Sequence, residues 1–155
     1  MQEMETLLAQ CEREEEQLQF TSFSRTDALA LGLRLIEDAK AFPDPVAVEI
    51  TVNGLVVFRY FPDGARLDSE LWLQRKRRSV ELMDMSSLHF LAWLGVNGET
   101  LESRKLPADD YAVGGGGFPI RVRGTGMIGS VCVSGLPDHR DDHRLVTGAL
   151  AALCC

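Results

Sequence analysis

Over residues 2–19, Met4, Leu7, Leu8, Cys11 and Leu18 recur at helical spacing among glutamates, leaving only a thin apolar stripe. So narrow a stripe predicts a helical arm that packs on another subunit, and it sets residues 1–20 apart from a single domain over 21–155. Ser24 and Asp27 form a capping signature ahead of residues 28–42, where Leu29, Leu33 and Ile36, flanked by Leu31, Leu35 and Ala39, give a wide apolar face. Pro43 and Pro45 stop this second helix. Val46, Val48, Ile50 and Val52 then alternate with Ala47, Glu49 and Thr51, the period of a strand. Asn53-Gly54 is a favoured hairpin turn, and residues 55–61 return as the partner strand. Asp68 is placed to cap a third helix running to about residue 83. Residues 88–94 form a short apolar run that Asn97-Gly98 closes, with no element assigned. A second hairpin joins residues 118–123 to 126–134, and a last helix runs from 138 to about 153. Helix, helix, hairpin, helix, hairpin, helix predicts an α+β fold: a central antiparallel sheet flanked by helices.

The chain has 155 residues and a net charge of −7, which argues against general binding to nucleic acid or anionic membranes, because polyanions need a positive face. No apolar stretch is long enough to span a bilayer and no signal pattern opens the chain, so a cytoplasmic location is expected. Cys11, Cys132, Cys154 and Cys155 show no metal or disulfide spacing. Cys132 reads as a core residue, and Cys154-Cys155 as a thiol tail at a helix end rather than a lipidation signal.

The most informative segment is Gly114-Gly115-Gly116-Gly117-Phe118-Pro119-Ile120, followed by Ser134-Gly135-Leu136-Pro137. Glycines that open a strand let the backbone approach a neighbouring group closely. The two turns together predict a backbone-lined recess. They do not form a phosphate loop, since no GxxxxGK[ST] precedes a helix. At roughly 100° per residue, Lys76 lies about 40° from Trp72 on the apolar side of the third helix, while Arg77 and Arg78 point away. Two readings of Lys76 stand: an amine that snorkels at the core edge, or a cation at a pocket wall for an acidic ligand. His139 and His143 share one helix face, but HExxH is absent and no metal site is expected. Aspartates 138, 141 and 142 suit a helix start, and His143 is the weak candidate for an acid or base. His89 reads as a packing residue. Ser86, Ser87 and Ser134 offer hydroxyls without a nucleophile elbow. Trp72 and Phe118 read as core or pocket-edge aromatics.

The segments Trp72…Lys76-Arg77…Val80, Ser86-Ser87, Gly115-Gly116-Gly117-Phe118-Pro119-Ile120, Gly126…Gly129, Val133-Ser134-Gly135-Leu136-Pro137 and Asp142-His143…Val146 resemble the GlcG/HbpS-like haem-degrading-domain family, in its short uncharacterised cytosolic branch. The resemblance runs from about residue 24 to 153. It implies a profilin-like fold, assembly into dimers or larger rings, and haem as a ligand in some members. In this branch histidines often precede the glycines and the paired serines; here those positions are Gly114 and Met85, whose thioether is an accepted axial ligand. His139 lies outside the matching acidic-His pair. The resemblance and the recess together point to a small-ligand-binding, homo-oligomeric protein. Lys76, Ser86, Ser87, Gly115, Gly116, Gly117, Phe118, Pro119, Ser134 and His143 would contact an acidic ligand such as haem. A non-catalytic structural or chaperone-associated subunit is the alternative, and an enzyme using His143 a third reading.

Overall fold

The computed structural model describes residues 1–154 and orders them α1 (Gln2–Gln17), α2 (Arg25–Ala39), β1 (Ala47–Val52), β2 (Leu55–Tyr60), α3 (Leu67–Met83), α4 (Ser87–Asn97), β3 (Gly117–Val122), β4 (Gly126–Ser134) and α5 (His139–Cys154). The four strands form one antiparallel sheet in the order β2-β1-β4-β3, so the fold is α+β with a central sheet between helices, as the patterning implies. The two hairpins meet at the β1–β4 seam, which places the start of β3 and the end of β4 side by side at one end of the sheet.

Strand alternation decides which residues face which helices. Val48, Ile50, Phe118, Ile120, Val131 and Val133 pack on Leu31 and Leu35 of α2 and on Leu145, Val146 and Leu150 of α5, and this is the main core. The opposite face, under α3, is far more polar. Ala47, Leu73 and Cys132 make a small apolar cluster there. Beside it lie Glu49, 1% exposed, and a Thr51–Ser130 hydroxyl pair at 3.0 Å. Arg59 from β2 binds the Glu49 carboxylate, and Arg77 from α3 approaches it at 3.6 Å. Arg77 therefore does not point away as the helical projection suggests: its long side chain reaches back over the sheet to a charge that would otherwise be buried alone.

Local chemistry accounts for most of the boundaries. The Ser24 hydroxyl accepts from the Asp27 N–H, and the Asp27 carboxylate accepts from the Ser24 N–H, a complete capping box. Asn53 and Gly54 have φ of 51° and 82°, as the tight β1–β2 turn requires. Three expectations shift. Helix α2 ends at Ala39, before the prolines, in a run of three-residue turns over Lys40, Ala41 and Phe42. Helix α3 starts at Leu67 without a side-chain cap, and Asp68 sits inside its first turn. The unassigned run around 88–94 is a helix, capped by Ser86 through the His89 N–H and ended by Gly98 at φ 65°.

Helix α1 uses its thin stripe within the chain: Leu7 and Cys11 pack on Leu88 and Ala92 of α4. Two consecutive glutamates reinforce this docking. Glu14 bonds His143 of α5, and Glu15 bonds His89 and the Ser86 N–H. Cys132 is buried, and burial pushes its thiol up to about 12. Cys154 is disulfide-bonded rather than a free thiol, and Cys155 lies outside the described residues.

Candidate functional site

At the end of the sheet where β3 begins and β4 ends lies a recess of about 560 Å³. Trp72 and Lys76 come from α3, Gly114 and Gly115 from the glycine run, Ser134 to Pro137 from the β4–α5 turn, and His139 and Asp142 from α5. Asp44, Pro45, Arg66 and Asp68 complete the rim. The two turns thus meet in one concavity beside a mid-helix lysine.

The glycines are there for room. A Cβ on Gly115 would lie 2.0 Å from the His139 carbonyl oxygen and 2.8 Å from the His143 Cβ. One on Gly116, whose φ is 128°, would lie 2.6 Å from both the Lys76 Nζ and the Val133 carbonyl oxygen. The chain crosses between α3 and α5 in a gap that admits backbone only. Its N–H groups are largely committed. Gly114 donates to the Ser87 carbonyl at 3.1 Å, Gly115 to His139 Nδ1 at 2.8 Å, and Gly117 to the Ser87 hydroxyl at 2.9 Å.

Lys76 is 7% exposed, and its ammonium donates to the Val133 carbonyl at 2.8 Å and the Asp142 carboxylate at 3.2 Å. Burial pushes the Asp142 carboxyl above its ordinary range, and the Lys76 charge pulls it only partly back. Lys76 and Asp142 cancel in charge, as do Arg66 and Asp68 at the rim, 3.3 Å apart. The recess therefore carries no spare buried cation.

His139 presents a different picture. It is exposed at the recess wall, with Nδ1 taking the Gly115 N–H, so its free hydrogen sits on Nε2. Partial burial, with Arg140, Lys76 and His143 nearby, holds the imidazole below its ordinary range, against the opposing pull of Asp138. The ring is neutral at neutral pH and turns an uncharged nitrogen toward the recess.

Of the ten residues read from the sequence, Lys76, Gly115 and Ser134 line this recess. Gly116, Gly117, Ser86 and Ser87 lie buried behind it, as the packing that holds the glycine run. Phe118 is in the core under α2 and α5, and Pro119 pairs with Ser130 inside the sheet, so neither lines the recess. His143 is 2% exposed and turned toward α1. Met85 is not part of the recess lining. The sequence favours His143 over His139, although only Asp138 separates His139 from the Ser134-Gly135-Leu136-Pro137 turn. That proximity is the available signal.

Fold and site together define a helix-flanked antiparallel domain with a ligand-sized recess at one sheet end. Residues 23–151 match the model of the family described as haem degrading protein HbpS-like, and the chain belongs to that family. It is 41% identical over 144 residues to the UPF0303 protein SCO2848 of Streptomyces coelicolor, covering 92% of this chain and 90% of that one. Among solved structures it is similar to the Ybr137w protein, with a TM-score of 0.87 and 28% identity, covering 95% of this chain and 87% of that one. It also shares the fold of PduOC, solved as a heme complex, with a TM-score of 0.70 and 24% identity, covering 84% and 94%.

Proposed function

We propose that this is a small-ligand-binding protein whose ligand enters the recess between α3, the glycine run and the β4–α5 turn, and that the ligand is haem. The observation that carries the reading is His139, anchored by the Gly115 N–H and presenting its Nε2–H to the recess. With Nδ1 accepting, the ring is fixed as a hydrogen-bond donor, suited to a carboxylate such as a haem propionate. Trp72, Leu136 and Pro137 supply apolar wall, and Arg66, 83% exposed in its side chain and paired among the described residues only with the exposed Asp68, is the rim cation that can exchange that partner for a propionate. Lys76 is not that cation, because its ion pair with Asp142 is buried. Bound haem would supply a redox-active iron. The protein's part would be to wall off one side of the ring and hold its carboxylate edge between the His139 N–H and Arg66.

Titration of the purified protein with haem tests this reading. The expected result is a saturable Soret shift at one equivalent, with weaker binding in His139→Ala. No spectral change, or an unaltered haem affinity in that variant, would overturn it. Family membership and the HbpS-like fold support the haem reading, and the likeness to a heme-bound relative supports it further.

The chain also self-associates in this proposal. Strand β2 is the open edge of the sheet, and it exposes Leu55, Val56 and Tyr60, at 51%, 38% and 44%. The β3 edge, by contrast, is bridged by Phe20. An unpaired apolar edge is a pairing surface. Light scattering is expected to give a native mass at least twice 17.1 kDa. Val56→Lys with Tyr60→Arg should return it to the monomer. A monomeric wild-type protein at micromolar concentration would remove this part of the reading.

A further inference from the structure

His139 and His143 lie one turn apart on α5, yet their rings meet different neighbours. His139 faces the recess, while His143 turns to α1, where it meets Cys11 and Glu14. Cys11 and Glu14 are three residues apart and so share a face of α1. One ligand atom from each of Cys11, Glu14 and His143 lies within 4.8 Å of the other two. His143 Nε2 is 2.8 Å from the Glu14 carboxylate, and Nδ1 is buried with no hydrogen-bond partner among the described residues. With Nδ1 free of a partner, the ring hydrogen can move there and leave the Nε2 lone pair for an ion.

We propose that Cys11, Glu14 and His143 form a site for a divalent transition-metal ion, zinc above all, that staples α1 to α5. The donor set is a thiolate, a carboxylate and an imidazole, a borderline-soft combination suited to zinc and unsuited to magnesium or calcium. Around a tetrahedral ion such donors stand about 3.5 Å apart, given metal–ligand bonds of roughly 2.0–2.3 Å. The cluster closes on an ion by side-chain movements of about 1 Å. Thiolate and carboxylate balance the two positive charges. On binding, the Cys11 thiol proton leaves to solvent, and the imidazole hydrogen moves from Nε2 to the unpaired Nδ1. The Ser86 hydroxyl near Cys11 favours the thiolate, a supporting group around the first ligand. Glu14 and Glu15 face the sulfur with Arg140 as the opposing cation, so the surrounding field favours a cation. The Glu14 side chain is 23% exposed and gives the ion its way in. Three protein ligands leave a fourth position for water.

Cobalt titration of the full chain after dialysis against a chelator tests the site. One equivalent of Co²⁺ is expected to give an intense thiolate charge-transfer band, displaced by Zn²⁺, absent in Cys11→Ser and retained in Cys132→Ser. Saturating Zn²⁺ is expected to raise the melting temperature of the wild-type protein. In Glu14→Gln, where the affected residue is partly exposed and the fold is retained, zinc affinity should fall on the order of 10–100-fold, as for losses of metal support elsewhere. Absence of the band overturns the proposal. So does its survival in Cys11→Ser, which would assign it to another thiol, or an unchanged affinity in Glu14→Gln. The site is independent of the recess, since the haem titration reads His139 and this one reads the Cys11 sulfur.

Discussion

Gly115→Ala is expected to lose about 3–4 kcal/mol of stability, the range of severe packing defects. The added methyl meets the His139 carbonyl oxygen at 2.0 Å and the His143 Cβ at 2.8 Å, and the first of these is helix backbone that cannot swing aside. For a domain of this length the melting temperature should fall by roughly 10 °C. Gly148→Ala is the control, because a Cβ there meets nothing within 4 Å and the residue lies in α5, where alanine is the better helix former. That variant should be unchanged or slightly more stable. If both glycines respond alike in thermal unfolding, the glycine run is not a space requirement. The haem titration of Gly115→Ala should fail as well, since the same clash displaces the His139 turn that carries the proposed ligand-binding imidazole.

Lys76→Met is expected to cost about 3–5 kcal/mol, the usual consequence of leaving one member of a buried ion pair alone. The remaining Asp142 carboxylate is 3% exposed, and its other hydrogen bond, from the Leu136 N–H, is long at 3.4 Å. Asp142→Leu strands the ammonium in the same way, with only the Val133 carbonyl for a partner. The double variant should recover much of the loss, because no unpaired charge remains and the two side chains pack as hydrophobes. Urea unfolding of the four proteins gives the coupling directly. Single variants within about 1 kcal/mol of the wild type would show the pair to be screened by water. A Lys76→Met protein of full stability that no longer binds haem would instead return Lys76 to ligand recognition.

Both predictions concern groups whose positions along the chain were legible before their partners were. Helical spacing alone put Lys76 on the apolar side of α3, because a 3.6-residue period holds within any single helix. The glycine run announced a close approach of backbone, since glycine is the residue that tolerates one. Neither signal could name what was approached. Asp142 is 66 positions from Lys76, and several other acidic residues satisfied the same charge rule. Glu49 shows the limit most clearly. In a strand of alternating residues it reads as solvent-facing, yet α3 covers that face, and Arg59 and Arg77 bind the carboxylate.

The amino-acid sequence by itself determined the strands, the hairpin turns, the α2 cap and the α+β class. It also carried the family, through short motifs spread over nearly the whole chain. These properties are local or additive, and a window of a few residues contains their causes. Tertiary structure alone decided that α1 docks on α4, that Lys76 spends its charge on Asp142, and that His139 rather than His143 opens into the recess. It also joined Cys11 to His143 across two helices. Each of these depends on the order of strands in the sheet and on which helix covers which face. Such pairings are settled by the packing of the whole domain, where one approach excludes another.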